Sequence, residues 1–278
     1  MKLVRFGPRG REKPGIIDRE GILRDLSGVV PGIGWDEISP AGLRRLARLD
    51  PLALPKVSGR PRLGVPYAGI SKIVAIGLNY RDHARESNMP IPKEPVVFMK
   101  ATTCINGPFD PLLKPPGSTK MDWEVELGVV IGREARRVDA ARALDYVAGY
   151  CTFNDVSERA FQLEMGGQWD KGKGCDSFGP IGPWLVTRDE VPDPQNLHLW
   201  LAVNGERMQD SSTAEMIFPC AEVVSYVSRF MTLNPGDLIV TGTPPGVGMA
   251  RGRFLQVGDV VTLGVQGLGE QRLRVRAA

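Results

Sequence analysis

Apolar and polar positions alternate along this chain in short bursts. The runs at 3–6, 15–18 and 22–25 have the length and composition of strands and are separated by Gly and Pro. Over 41–49 the leucines fall at 43, 46 and 49, which predicts a short helix. Pro51, Pro55, Pro61 and Pro66 then mark an extended connection. The pattern predicts a small N-terminal domain over residues 1–68 and a main domain over residues 69–278. In the main domain strands are expected at 73–76, 96–99, 124–131, 147–153, 197–203, 238–241, 260–265 and 271–275. Helices are expected at 139–145, 155–165 and 219–231. Helices and strands do not alternate regularly, so the expected fold is a β-rich α+β arrangement and not a doubly wound parallel sheet.

One strand carries the most chemistry. In Met121-Asp122-Trp123-Glu124-Val125-Glu126-Leu127, extended backbone sends Glu124 and Glu126 to one face and Trp123, Val125 and Leu127 to the other. Two same-facing carboxylates beside the apolar run Leu127 to Ile131 repel each other in a half-buried sheet unless a cation lies between them. Hard oxygen donors of this kind suit Mg²⁺ or Mn²⁺. The plain alternative is a pair of solvent-facing glutamates on an amphipathic strand.

Composition narrows the field. The chain has 278 residues and a net charge of +3, enough length for a full core and too little charge for a nucleic-acid footprint. Its short basic clusters are interleaved with acids and read as solvated faces. No apolar run reaches the ~20 residues of a membrane helix, and the N-terminus lacks the apolar segment of a secretion signal. The four cysteines form no C-x-x-C, against a zinc site or a disulfide scaffold. A cytoplasmic setting is expected. With only two histidines, a His-based metal centre is nearly excluded. His198 sits among leucines that share a strand face, as a sheet-surface imidazole, so His83 is the candidate for proton transfer.

Other segments offer partners for such a site. If the segment around His83 is helical, Glu86 lies one turn on and can orient the imidazole as a general base for water; a surface ion pair is the alternative. Asp155-Val156-Ser157-Glu158 fits a helix capping box with Asp155 as N-cap, and capping is compatible with metal binding. Arg159 and Gln162 follow at helical spacing and would suit a substrate carboxylate and carbonyl. Lys171-Gly172-Lys173-Gly174 reads as a flexible glycine-rich loop able to bring a cation to developing negative charge. The loop Thr241 to Gly248, with two prolines, cannot open a dinucleotide-binding helix. It offers the Thr243 hydroxyl and backbone N–H groups as ligand contacts, or is a plain turn.

Taken in order, H-x-x-E, E-x-E-L, N-D-V-S-x-R-x-x-Q, K-G-K-G-C-D-S-F-G-P-I-G-P and T-G-T-P-P-G-V-G resemble the fumarylacetoacetate hydrolase family over about residues 70 to 262. Within it the pattern is most similar to bacterial 2,4-diketo-3-deoxy-L-rhamnonate hydrolases, which yield pyruvate and L-lactate. Relatives with nearly the same motifs carry ureidoglycolate lyase labels. The resemblance implies a mixed β-roll catalytic domain, usually dimeric, with Mg²⁺ or Mn²⁺ on Glu124, Glu126 and Asp155. It implies a water-activating dyad of His83 and Glu86 on a segment that orders over ligand, and matches Lys173 to a catalytic lysine. Arg159, Gln162 and Thr243 match substrate contacts. The large eukaryotic members have a further acidic ligand near the histidine; Asn79 and Asp82 give no clear equivalent here. The implied substrate is a small 2,4-diketo acid. Rival readings are a decarboxylase, isomerase or lyase on the same scaffold, and a non-catalytic protein whose carboxylates are structural. Pro90, Pro92 and Pro95 allow residues 80–95 to be a lid or an ordinary loop.

Overall fold

The computed structural model describes residues 1–86 and 90–278. Two sheets dominate it. The larger has nine strands in the order Leu23–Asp25, Lys13–Ile17, Lys2–Phe6, Leu185–Thr187, Val147–Asn154, Val125–Ile131, Leu238–Val240, Ile73–Gly77 and Val96–Lys100. All its pairings are antiparallel except that of Leu238–Val240 with Ile73–Gly77, so the sheet is mixed. The first three strands of the chain continue this sheet, because Leu3 pairs opposite Leu185. The second sheet has five strands, in the order Glu206–Ser212, His198–Val203, Val260–Val265, Gly269–Ala277 and Leu112–Lys114. This is the expected β-rich α+β class.

Every residue of Val125–Ile131 is buried, which explains its nearly unbroken apolar sequence: it lies inside the large sheet, with the second sheet packed against it. The helix Cys220–Phe230 buries Val223, Val224 and Val227 on one stripe and exposes Phe230, as its periodicity predicts. Strands that the sequence pattern misses are polar or very short. Glu206–Ser212 is an edge strand with three of its seven positions exposed, and Leu185–Thr187 has three residues. His198 is exposed and faces Asp210 across its strand pair, with Nε2 2.7 Å from Oδ1, a surface role as expected.

Two local expectations fail. Asp155 does not cap a helix. The chain stays extended through Ser157–Glu158, which pairs with Met121–Asp122, and the helix Arg159–Leu163 is capped by Glu158 accepting from the Ala160 N–H. Cross-strand pairing thus overrides the local capping signal. Likewise Lys171 to Lys173 is no flexible loop: Asp170–Lys173 is a short helix. Gly172 serves packing, since a Cβ there would lie 2.4 Å from the Glu158 carbonyl oxygen. The lid reading of residues 80–95 includes 87–89, which fall outside the described residues; Arg81–Glu86 is helical.

Candidate active site

Strand register assembles the acidic group. Val125 pairs opposite Asn154, and the Asp155 N–H donates to the Glu124 carbonyl at 2.9 Å, so Asp155 lies directly across from Glu124. Glu126, two residues on, shares that face. One carboxylate oxygen from each of Glu124, Glu126 and Asp155 lies within 4.8 Å of the others, and all three side chains are buried. Asn79 and Asp82 do not join them. The Asn79 amide bonds the backbone of Phe218 and Thr241, and Asp82 accepts from Ser211.

Buried cations surround the acids. Lys173 Nζ lies 2.6 Å from Glu124 and 2.7 Å from Asp155. Arg159 reaches Glu124 at 2.5 Å and Asp122 at 2.8 Å, and donates to Gln162 at 3.0 Å. Lys100, ending its strand, pairs with Asp155 at 2.5 Å and also donates to the Lys173 carbonyl. Asp122, Glu124, Glu126 and Asp155 therefore meet Lys100, Arg159 and Lys173: four carboxylates against three cations.

The surplus falls on Glu126. Among the described residues no lysine or arginine pairs with it; it accepts from the Gly242 N–H at 2.8 Å. Burial, then Asp155 and Glu124, push its carboxyl well above the ordinary range. Glu124 behaves oppositely: burial alone would raise it, but Lys173 and Arg159 override that and hold it down at about 2. Burial works against charge on Lys173 too, and Asp155 and Glu124 more than compensate. A fully buried carboxylate with no cationic partner, beside two other carboxylates, is a donor set that fits a hard divalent ion.

His83 and Glu86 lie on the same helix with Nδ1 3.3 Å from Oε2. Both line a cavity of about 480 Å³ together with Glu124, Glu126, Arg159, Gln162, Lys173 and Thr243. The geometry thus brings every residue expected to hold metal, contact substrate or act in catalysis, except Asp155, to that cavity, and Asp155 stands behind it, bonded to Lys173. A larger cleft of about 650 Å³ lies elsewhere; its charged groups are Arg44, Asp145, Arg188 and Asp189, with no clustered acid triad.

The loop after Leu238–Val240 brings Thr243 to the cavity but turns several of its backbone N–H groups inward. Its N–H groups go to the acids and not outward: Gly242 to Glu126, Gly246 to Glu86 at 3.0 Å, and Gly248 to Asp122 at 2.6 Å. The Thr243 hydroxyl donates to the Val125 carbonyl and accepts from Gln209, so its proton is already committed. Gly242 has φ +94, and a Cβ there would lie 2.8 Å from that of Asn79, so the residue must be glycine for its N–H to face Glu126. Sequence reasoning missed Lys100, Asp122 and Gln209. Asp122 could have been found, since positions 122, 124 and 126 share one strand face; a lysine ending an apolar strand gives no such signal.

Fold and site together define a class: a β-rich α+β enzyme scaffold with hard oxygen donors gathered beside a cavity. Residues 72–276 match the family described as fumarylacetoacetate (FAA) hydrolase, C-terminal, and the chain belongs to the fumarylacetoacetate hydrolase family. Members generally use a divalent metal. A Burkholderia cenocepacia (strain HI2424) protein with only a provisional hydrolase name is 60% identical over 281 residues, covering 100% of both chains. Among solved structures, the fumarylacetoacetate hydrolase of Exiguobacterium antarcticum is 35% identical with a TM-score of 0.89, covering 100% of both chains. Maleylpyruvate hydrolase from Sphingobium sp. SYK-6 is 28% identical with a TM-score of 0.84, again covering 100% of both. The chain is therefore similar to enzymes of acylpyruvate type. Among the described residues no helix is long and apolar enough to cross a membrane.

Proposed function

We propose that this chain hydrolyses the C3–C4 bond of a 2,4-diketo acid, an acylpyruvate, with Mg²⁺ or Mn²⁺ held by Glu124, Glu126 and Asp155. The substrate we favour is 2,4-diketo-3-deoxy-L-rhamnonate, giving pyruvate and L-lactate. The observation that carries the reading is the shared cavity: a buried acid triad with one uncompensated carboxylate, beside a His–Glu pair. A bound divalent ion supplies Lewis-acid stabilisation of the enolate charge that makes pyruvate a workable leaving group.

The chain's own residues do the rest. Glu86, fixed by the Gly246 N–H, faces His83 Nδ1, so that Nε2 would take the proton from water. Two of the three Lys173 N–H groups bond Glu124 and Asp155, and the third is left for the oxyanion formed at C4. Arg159, pinned by Asp122, holds Gln162 and the carboxylate face in place at the substrate. Thr243 accepts from a ligand donor rather than donating.

A screen of acylpyruvates and 2,4-diketo-3-deoxy sugar acids with Mg²⁺, with and without chelator, tests this. Pyruvate release that the chelator abolishes is expected. No pyruvate from any of them refutes the hydrolytic reading.

A further inference from the structure

We infer that the acyl group this cavity accepts at C4 is uncharged, and that a second carboxylate there is rejected; the inference rests on the acylpyruvate reading and narrows it. The cations lining the cavity are Arg159 and Lys173. Both already pair with acids, Arg159 with Asp122 and Glu124, Lys173 with Glu124 and Asp155, and the remaining Lys173 N–H is assigned to the C4 oxygen. Glu86, Glu124 and Glu126 line the same space, three carboxyl groups against those two cations. A divalent ion on the triad would take the 2-oxo acid end of a substrate. A carboxylate at the other end would meet no unpaired cation among the described residues. Such a group would shed its hydration with nothing in exchange.

The rest of the lining is apolar. Phe98 and Trp169 meet edge to face with centroids 5.2 Å apart, and Leu163, Val247, Met249 and Ala250 complete the wall. Leu163 and Met249 are each 46% exposed, large apolar surfaces that an apolar acyl group would cover. The lactoyl group of the favoured substrate is uncharged and falls within this class. Maleylpyruvate, the substrate named for the Sphingobium neighbour, carries a second carboxylate and falls outside it.

Binding separates this from turnover. Calorimetry on the Mg²⁺-loaded protein should compare 2-oxohexanoate with 2-oxoadipate, which has the same chain length and ends in a carboxylate. The monocarboxylate is expected to bind about tenfold or more tighter, and among longer 2-oxo monocarboxylates each added methylene should gain about three- to fourfold. Met249→Arg, at an exposed position, should raise 2-oxoadipate affinity by about tenfold. Equal or tighter binding of 2-oxoadipate to the wild type overturns the inference, as does a folded Met249→Arg protein with both affinities unchanged. Failure to cleave every acylpyruvate while the binding order holds overturns the hydrolytic reading alone and leaves the charge preference supported.

Discussion

Glu126→Gln isolates the one carboxylate of the buried cluster that no lysine or arginine among the described residues pairs with. In the metal-free protein the carboxyl of Glu126 is pushed well above its ordinary value of 4.5 by burial and by Asp155 and Glu124. An acid whose folded pKa is raised binds its proton more tightly in the folded than in the unfolded chain. Stability therefore falls as pH rises from the ordinary value to the raised one, by up to about 1.4 kcal/mol per pH unit for one proton. For a chain of this size that corresponds to roughly 3–5 °C of Tm per pH unit. Gln copies the protonated form and its amide oxygen still accepts from Gly242, so the variant lacks this term. Thermal unfolding of metal-free wild type and Glu126→Gln from pH 5 to 8 should diverge, the wild type losing ground as pH rises. Mg²⁺ should restore the wild type and not the variant, and its affinity for the wild type should rise about tenfold per pH unit in the same window, as each ion displaces one proton. Parallel Tm profiles would refute the claim that the cluster carries one uncompensated acid.

His83→Ala should lower kcat by roughly 10²- to 10⁴-fold while leaving Mg²⁺ affinity intact, because the imidazole lies outside the acid triad; turnover and metal titration on the same preparation check both halves. Gly242→Ala places a Cβ 2.8 Å from Asn79 at φ +94, and turning the N–H away from Glu126 should weaken metal binding as well as activity; unchanged Mg²⁺ affinity in a folded variant would contradict that link. Glu124→Ala should abolish metal binding and destabilise the chain by about 3–5 kcal/mol, since Arg159 and Lys173 each lose a buried partner; chemical denaturation measures it.

Features governed by short-range pattern were legible in the sequence. The alternation at Glu124 and Glu126 placed both on one face, and the apolar run through Ile131 identified an interior strand. His83 and Glu86 met at helical spacing as expected. What escaped depends on contacts between distant segments. Asp155 reaches the site through strand register, while its neighbourhood in sequence imitates a helix cap. Lys173 sits in a glycine-rich run that reads as mobile, yet Gly172 is there so the helix can press against Glu158. The loop from Thr241 to Gly248 keeps Thr243 at the cavity, but the N–H groups of Gly242, Gly246 and Gly248 that read as open to a ligand are spent on Glu126, Glu86 and Asp122, partners more than 100 positions away in the chain.

Isotope tracing distinguishes water attack from every other use of this scaffold. With Mg²⁺ and an acylpyruvate in H₂¹⁸O, the account predicts that the acid derived from the acyl half gains one ¹⁸O at its new carboxylate and that no CO₂ is evolved. Release of CO₂, or conversion of the substrate with no label in an acyl-derived acid, would contradict it.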